Sequence, residues 1–218
     1  MGSGDNQKVL SCGVDEAGRG PVIGPLVVSI VCGYDEDLKR IGARDSKSLS
    51  GSARRKIYDE IVRETQYHDI LEISAEQLND QMSRINLNQI EEDAYASLIE
   101  RAPFDCTVYV DSFDVSPERL TEKLSKRTGK DVVCRHKADS IYPTVSAASI
   151  LSKVTRDSRI EEYEKVYGRI GSGYPSDPVT VQFLEHSLAS GKDISRIVRK
   201  KWKTYTNMAG RFRNSKLF

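Results

Sequence analysis

The sequence places four acidic side chains at or just beyond the ends of short apolar segments that read as β-strands. They are Asp15 and Glu16 after KVLSCGV, Asp111 after CTVYV, and Asp139 at the end of DVVCRHKAD. Clustered carboxylates repel one another, so either some of them hold a proton or a divalent cation neutralises the group. The set offers oxygen ligands without cysteine or histidine at ligand spacing, which suits Mg²⁺ or Mn²⁺ rather than zinc.

A site of this composition can hydrolyse a phosphodiester. Mg²⁺ held by a few carboxylates takes its remaining ligands from water and a substrate phosphate. Two such ions roughly 3.5–4 Å apart activate a water molecule and stabilise the leaving oxygen. The alternative is that each acid caps a helix or carries an ordinary surface charge, which is the simpler interpretation for any one of them alone. The functional interpretation depends on the four acids as a set.

The strands that carry these acids must meet at one edge of a sheet. Asp111 and Asp139 end two strands joined by the helical segment SPERLTEKLSKRTG, which predicts a parallel β-α-β unit with both acids at the same edge. A first strand parallel to the strand of Asp111 would add the acidic pair to that edge. Successive residues of a regular strand face opposite sides, so we expect the chain to bend there, at Gly18 and Gly20.

Apolar periodicity and cap signals divide the rest of the chain into strands and helices. The order is strand, strand, helix, strand, helices, and then strand, helix, strand, helix. This order predicts an α/β fold with a central mixed sheet, helices on its faces and a helical C-terminal region. The last predicted helix is the basic segment SRIVRKKWKTYTNMA. We expect a catalytic domain over residues 1–190, with residues 191–218 packed on it as a basic extension.

Charge is balanced over the whole chain but concentrated at its C-terminal end. The 218 residues carry a formal net charge of +1, whereas residues 192–218 contain nine Lys or Arg side chains and one acid. A basic end on a neutral protein predicts contact with a polyanion such as a nucleic acid backbone. The alternative is a solvated helix face whose aromatic side chains, Trp202, Tyr205 and Phe212, pack inward.

The four cysteines, Cys12, Cys32, Cys106 and Cys134, form no CxxC pair and no zinc-ligand spacing. Each lies in a short apolar run, where a free thiol packs as a small hydrophobic group. We therefore expect no disulfide bonds and a reducing compartment, the cytoplasm. The N-terminal MGSGDNQK lacks the apolar core of a signal peptide, and the apolar run PLVVSIVC is too short to span a bilayer.

Five blocks of the sequence carry a resemblance to a known family. They are GVDEAGRGPVIGPLV at 13–27, DSKSLS at 45–50, YVDSFDV at 109–115, HKADSIYPTVSAASILSKVTRD at 136–157 and GSGYPSDP at 171–178. Together they closely resemble ribonuclease HII, the type 2 ribonuclease H, and the last block is similar to its archaeal branch. The resemblance covers nearly the whole chain in the family's order. It implies an RNase H-like fold, in which an antiparallel three-strand meander is extended by parallel strands.

The resemblance implies an endonuclease that cleaves the RNA strand of RNA/DNA hybrids and incises 5′ of single ribonucleotides embedded in duplex DNA. The implied chemistry is metal-dependent hydrolysis that leaves 3′-hydroxyl and 5′-phosphate ends, with Mg²⁺ or Mn²⁺ and with two ions when substrate is bound. The implied partners are these nucleic acids, without membrane association, and the single-chain form is a monomer.

The family's motifs also imply roles for individual residues. Its four metal-binding and catalytic acids correspond to Asp15, Glu16, Asp111 and Asp139, its GRG motif to Gly18, Arg19 and Gly20, its junction-sensing tyrosine to Tyr174, and a phosphate-contacting lysine to Lys47. The glycines would let backbone groups approach a 2′-hydroxyl, and Tyr174 would stack on the sugar of the following nucleotide. The plainer alternatives are a turn for the glycines, a loop plug for Tyr174 and a surface charge for Lys47. We expect His136 to be a structural hydrogen-bonding residue rather than a metal ligand.

Three other functions are compatible with parts of this pattern. A different RNase H-like phosphoryl-transfer enzyme, such as a resolvase or a DNA nuclease, would share the acids without a preference for ribonucleotides. Ribonuclease HIII carries an additional N-terminal domain and a Glu as its fourth acid, whereas here the acidic pair lies near the start and the fourth acid is Asp139. A non-catalytic nucleic-acid-binding protein is disfavoured because acids at a binding surface repel phosphate unless a metal intervenes.

Overall fold

The computed structural model describes residues 9–43 and 50–215, and only the backbone of residues 213–215. Lys47 therefore lies outside the described residues. The strands in these ranges are β1 (Leu10–Ala17), β2 (Leu26–Tyr34), β3 (Tyr67–Ile73), β4 (Val108–Asp111) and β5 (Val132–Arg135). The α-helices are α1 (Asp35–Arg40), α2 (Gly51–Glu64), α3 (Ala75–Gln81), α4 (Leu87–Arg101), α5 (Pro117–Thr128), α6 (Pro143–Tyr167), α7 (Pro178–Ser190) and α8 (Lys203–Ser215).

The five strands form one mixed sheet in the order β3-β2-β1-β4-β5. β1 pairs in parallel with β4, with Cys12 opposite Val108, and β4 pairs in parallel with β5, with Val108 opposite Val132. The antiparallel pairing lies on the other side of the sheet, among β1, β2 and β3. The predicted α/β fold, an antiparallel meander extended by parallel strands, is therefore confirmed, and so is the parallel β4-α5-β5 unit.

Cap residues fix both ends of two helices. α5 begins after Ser116, whose side chain accepts an amide hydrogen bond, has Pro117 at its first position and ends at Gly129 with φ 69°. α7 likewise begins after Asp177 and ends at Gly191 with φ 71°. A side-chain acceptor satisfies an amide that the first turn leaves unpaired, and glycine adopts positive φ without steric cost.

The described chain divides into two compact units. The first holds residues 9–16, 28–43, 50–71 and 91–154, and the second holds residues 17–27, 72–90 and 155–215. The first unit contains most of the sheet, and one of its apolar clusters packs small residues of α6 together with residues of β2, α1 and α2. This cluster consists of Val31, Leu38, Ala43, Ile61, Ala147, Ala148, Ile150 and Leu151.

The start of α6 approaches β1 so closely that their contact leaves no room for a side chain on β1. A Cβ atom at Gly13 would overlap the backbone of Thr144 and Val145. Further along α6, the Ser152 hydroxyl donates a hydrogen bond to the carbonyl oxygen of Asp15 at 3.1 Å. Glycine at position 13 is therefore what lets the backbone of β1 meet that of α6.

The second unit has its own apolar core, to which the C-terminal segment contributes. The core consists of Val22, Ile23, Ile160, Ile170, Phe183, Leu184, Ile194, Ile197 and Val198. Ile23 and Val198 form an isolated antiparallel bridge, and the N–H of Gly24 donates to the Ile197 carbonyl at 2.9 Å. Because this pairing occupies the backbone there, the helix predicted from Ser195 onward is wrong in its first half, and α8 begins only at Lys203.

The prediction that the cysteines form no disulfide is wrong for one pair. Cys12 on β1 and Cys32 on β2 form a disulfide between neighbouring strands, with Cα atoms 4.0 Å apart. The two residues are 20 positions apart, so only the strand pairing brings them together, and motif spacing does not reveal it. Cys106 and Cys134 are free thiols.

The domain boundary and membrane-spanning segments are the remaining points of organisation. The predicted boundary at residue 190, between a catalytic domain and a basic extension, stays a prediction. None of the helices in the described ranges combines the length and the apolar character needed to cross a bilayer.

We expect Gly13→Ala to destabilise the protein by about 1–3 kcal/mol, because the added methyl group forces α6 away from β1. Urea unfolding monitored by circular dichroism measures this loss. Gly51→Ala is the matched control, since a Cβ at that position meets nothing within 4 Å. Equal stability of both variants and the parent protein would contradict the close approach.

Candidate active site

Three of the four predicted acids lie together in the first unit. Asp15 on β1, Asp111 at the end of β4 and Asp139 after β5 each present a carboxylate oxygen, and these oxygens lie within 4.8 Å of one another. Asp15 and Asp139 are buried, with 4% and 6% of their surface exposed. The parallel pairing of β1 with β4 explains the contact, because it places Val14 opposite Val110 and so brings the next residue of each strand to the same edge.

Asp139 reaches the group by a route that the sequence did not predict. β5 ends at Arg135, and Lys137 then adopts φ 58°, a left-handed conformation that is unusual for a residue with a side chain. The following 3-10 turn, Ala138–Ser140, carries Asp139. The N–H of Ala138 donates to Oδ1 of Asp111 at 3.1 Å, which ties this turn to the end of β4.

His136 takes part in the same turn as a hydrogen-bonding residue. Its Nδ1 lies 3.3 Å from the carbonyl oxygen of Ser112, and since a carbonyl oxygen can only accept, Nδ1 is the donor. His136 does not belong to the group of three carboxylates. This contact is the structural one that we expected for His136.

Glu16 lies next to the three carboxylates in sequence but outside their group. β1 continues to Ala17, so the chain turns only at Gly18 (φ +92°), beyond both acids of the pair. Asp15 is buried and Glu16 is half-buried, and the Glu16 carboxyl group lies close enough to Asp15 to hydrogen-bond with it and to raise its pKa. The N–H of Glu16 donates to Oδ1 of Asp15 at 2.7 Å.

Burial raises the pKa of Asp15 well above its usual range, and the charges of Glu16 and Asp111 raise the pKa further. A hydrogen bond from Ser149 of α6 opposes this rise. Asp15 therefore binds a proton readily, or the positive charge of a cation in its place. The donors are carboxylate oxygens that lie close together, two of them on buried residues, and this combination fits a hard divalent cation such as Mg²⁺ or Mn²⁺.

Tyr95 of α4 is a buried phenol beside these acids that the sequence did not single out. Its hydroxyl lies 3.4 Å from the Asp111 carbonyl oxygen, to which it donates. Burial raises the pKa of Tyr95 well above its usual range, and the charges of Glu16 and Asp15 add to the rise. The phenol therefore stays protonated and remains a donor. Its place on the apolar face of a helix is typical of core residues, so the sequence pattern alone gave no functional signal.

The Gly-Arg-Gly turn belongs to the second unit, where it is tightly packed. A Cβ at Gly18 would lie 2.5 Å from the Pro25 carbonyl oxygen and 2.7 Å from Cδ of Arg156, and the φ of +92° also requires glycine. The side chain of Arg19 donates to the amide oxygen of Asn88 at 2.8 Å. The turn thus has one backbone conformation, which only glycine permits at its first position.

Tyr174 lies beside this turn. An added Cβ at Gly20 would be 3.5 Å from Cε1 of Tyr174, which is ordinary van der Waals contact. The guanidinium carbon of Arg156 lies 5.1 Å from the centre of the Tyr174 ring, within the range of a cation–π interaction. Arg156 is buried and also donates to the Ser172 carbonyl at 2.8 Å.

The loop that carries Tyr174 is held on both sides. Oδ2 of Asp177 accepts hydrogen bonds from the Ser172 N–H and hydroxyl at 2.6 Å and 2.8 Å. These hydrogen bonds lower the pKa of Asp177 to about 2, so its carboxylate is ionised at neutral pH. The carbonyl of Gly173 accepts from the Val22 N–H at 2.8 Å. Tyr174 therefore projects from a loop with a fixed backbone.

The sequence matches known proteins over most of its length. The sequence model of the family described as Ribonuclease HII matches residues 12–205. The chain belongs to the ribonuclease HII family. Members are endoribonucleases that cleave the RNA strand of RNA/DNA hybrids in a metal-dependent reaction, and this activity applies to the chain.

Individual ribonuclease HII relatives cover nearly the whole chain. Ribonuclease HII of Thermoplasma volcanium is 48% identical over 90% of this chain and 91% of its own. The ribonuclease HII in the PCNA complex from Archaeoglobus fulgidus superimposes with a TM-score of 0.86 at 44% identity, covering 91% of this chain and 96% of that one. Ribonuclease H2 from Pyrococcus horikoshii gives a TM-score of 0.87 at 36% identity, covering 94% and 99%.

Without a divalent ion, Asp15→Asn should raise the midpoint of thermal unfolding at pH 8 by a few degrees. The folded-state pKa of Asp15 lies above 3.8, so its contribution to stability is lost as the pH rises through the raised value, and Asn removes that loss. The difference should shrink as the pH falls toward 4. Mg²⁺ should stabilise the parent protein and not the variant.

Differential scanning fluorimetry in EDTA, at pH values from 4 to 8, measures these midpoints. Asp59→Asn, on the exposed side of α2, is the matched control and should shift no midpoint. A lower midpoint for Asp15→Asn than for the parent protein at pH 8 would contradict the repulsion among the carboxylates.

Proposed function

We propose that Asp15, Glu16, Asp111 and Asp139 hold Mg²⁺ or Mn²⁺, two ions when substrate is bound, and are the catalytic residues. The reaction is hydrolysis of a phosphodiester that leaves 3′-hydroxyl and 5′-phosphate ends. The substrates include single ribonucleotides embedded in duplex DNA, with incision on the 5′ side. The observation that carries the proposal is the close approach of three carboxylate oxygens from β1, β4 and the turn after β5.

The protein contributes carboxylates that the fold holds close together, although they repel one another in the absence of a cation. When bound, the metal supplies an activated water molecule and stabilises the leaving oxygen. A bound cation would favour the ionised form of Asp15, against the burial and the neighbouring charges that raise its pKa. The Ala138 N–H fixes the rotamer of Asp111, and the Tyr95 hydroxyl holds the Asp111 carbonyl. Glu16, whose charge acts on both Asp15 and Tyr95, completes the set.

We assign recognition of the ribonucleotide to Gly18, Arg19, Gly20 and Tyr174. A 2′-hydroxyl distinguishes RNA from DNA at a given position, and the backbone of a glycine turn can approach it closely. Tyr174 stacks on the sugar of the following nucleotide, where a second 2′-hydroxyl would clash. Two observations support this assignment: Tyr174 lies against Gly20, and Arg156 stacks against its ring.

The basic C-terminal end completes the proposed contact with the duplex. Among its described side chains, the exposed cations are Lys192, Arg196, Lys200, Lys201, Lys203 and Arg211, whereas Trp202 and Tyr205 pack against the core of the second unit. Cations directed outward and aromatic rings directed inward agree with contact to the phosphate backbone. We keep Lys47 as a phosphate contact, and residues 191–218 as a basic extension of a cytoplasmic, monomeric enzyme.

Asp139→Asn should lower cleavage of an RNA/DNA hybrid, and of a duplex with one ribonucleotide, by at least about 100-fold. Loss of a metal ligand costs more than the roughly 10–100-fold typical of residues behind the ligands. Gel assays with a metal titration and mapping of both ends measure the rate and the products. Asp105→Asn, an exposed acid elsewhere in the first unit, is the matched control and should cleave normally.

Full activity of Asp139→Asn would remove that residue from the proposed metal site. If the parent protein cleaves an all-DNA duplex as fast as one with a single ribonucleotide, the proposed substrate is wrong and a DNA nuclease is favoured.

Tyr174→Ala should slow incision at a single ribonucleotide by roughly 10-fold or more, since aromatic stacking on a nucleotide contributes about 1–3 kcal/mol. Tyr174→Phe keeps the ring and serves as the matched control, with a rate close to that of the parent protein. Single-turnover cleavage of the same duplex measures both rates. An Ala variant as fast as the Phe variant would assign Tyr174 to packing alone.

A further inference from the structure

Two side chains of the C-terminal segment hold the carbonyl groups of the Gly-Arg-Gly turn. Nη1 of Arg199 donates to the carbonyl oxygen of Arg19 at 3.2 Å. The indole Nε1 of Trp202 donates to the carbonyl oxygen of Gly20, also at 3.2 Å. The last two residues of the turn therefore have their carbonyl oxygens bound by donors from one short segment.

Arg199 is itself fixed in place from several directions. Its side chain is fully buried, its Nε donates to the Gly24 carbonyl at 2.8 Å, and its guanidinium carbon lies 4.8 Å from the centre of the Trp202 ring. Its backbone N–H donates to the Val22 carbonyl at 2.9 Å. A buried arginine is costly unless good hydrogen bonds compensate for its desolvation, and here backbone carbonyls supply them.

A third residue, Asn79, locks the same segment from α3. Its Nδ2 donates to the Val198 carbonyl at 2.9 Å, and its Oδ1 accepts from the Lys200 N–H at 2.7 Å. These two hydrogen bonds bracket Arg199 in the chain. The donor of Arg199 thus belongs to a backbone that is held on both sides of the residue.

Holding a carbonyl also sets the direction of the amide in the same peptide. The peptide between Arg19 and Gly20 is trans, so its N–H points away from its carbonyl group and therefore away from Arg199. Gly20 is exposed, and Pro21 after it has no N–H of its own. The Gly20 N–H is therefore the amide that the turn presents outward.

We propose that Arg199 and Trp202 are positioning residues that aim the Gly20 N–H at the 2′-hydroxyl of the substrate ribonucleotide. The inference rests on the proposed function, in which this turn reads the ribonucleotide. Neither side chain needs to contact the substrate, because each acts through a carbonyl oxygen of the turn. Without the two donors the peptides of the turn can rotate, and the amide loses its direction.

Trp202→Phe is the sharpest test, since it removes the indole N–H and keeps an aromatic face for Arg199. Binding is measured by fluorescence anisotropy in EDTA, with a duplex that contains one ribonucleotide and with the same duplex in all-DNA form. The ratio of the two dissociation constants does not depend on the fraction of active protein, so partial loss of stability does not mask the result. Arg199→Lys is the second variant, and Arg84→Lys, at an exposed arginine of the second unit outside the proposed contacts, is its matched control.

The parent protein and Arg84→Lys should prefer the ribonucleotide duplex to the same degree. Trp202→Phe and Arg199→Lys should each lower that preference about fivefold, the effect of one misaligned hydrogen bond of roughly 1 kcal/mol, and leave the affinity for all-DNA duplex within about twofold. Preferences in both variants equal to that of the parent protein would overturn the positioning role alone. If the parent protein itself binds both duplexes equally well, the proposed ribonucleotide recognition is wrong. This outcome is measured on the parent protein and the other on the variants, so the two failures are distinguishable.

Discussion

Repulsion among carboxylates buried at the edge of a parallel sheet is the constraint on which the first unit depends. The parallel register of β1 with β4 brings Asp15 and Asp111 together, and a slip of one residue in this register would separate them. Burial and this proximity to Glu16 and Asp111 together raise the pKa of Asp15. Without a bound cation, the strand pairing must therefore outweigh the repulsion among the carboxylates. The close contact of Gly13 with α6 adds to the stability of this pairing.

The second unit buries positive charge instead of negative charge. Arg156 and Arg199 are both fully buried, and each donates to backbone carbonyls of loops rather than to a buried acid. A guanidinium presents several donors in one plane, so a single side chain can fix more than one carbonyl, which a lysine cannot do with the same geometry. The two loops held in this way carry Gly20 and Tyr174. Rigid loops suit recognition of a small feature such as a hydroxyl group.

Much of the fold could be predicted from the sequence, since strand composition, helix caps and the β4-α5-β5 order follow local rules. The approach of Asp15 to Asp111 was also predictable, because parallel strands share an edge. The presence of Asp139 at that edge was predicted too. The turn that carries it was not, since that turn depends on the left-handed conformation of Lys137, which no residue type there requires. The Cys12–Cys32 disulfide was missed for a related reason: cross-strand neighbours depend on register, and spacing along the chain does not encode it.

The segment before α8 shows why periodicity can mislead near a recognition site. Its spacing of apolar and basic residues is that of a helix, yet Ile197 and Arg199 direct their backbone groups to residues 22–24. The pairing with the turn segment replaces the hydrogen bonds of about one helical turn and places the side chain of Arg199 beneath the Arg19 carbonyl. In a regular helix, the direction of the Arg199 side chain would be set by the helix axis and not by the position of the Gly-Arg-Gly turn. The local departure from helical structure is thus what allows one arginine to reach carbonyls of both Arg19 and Gly24.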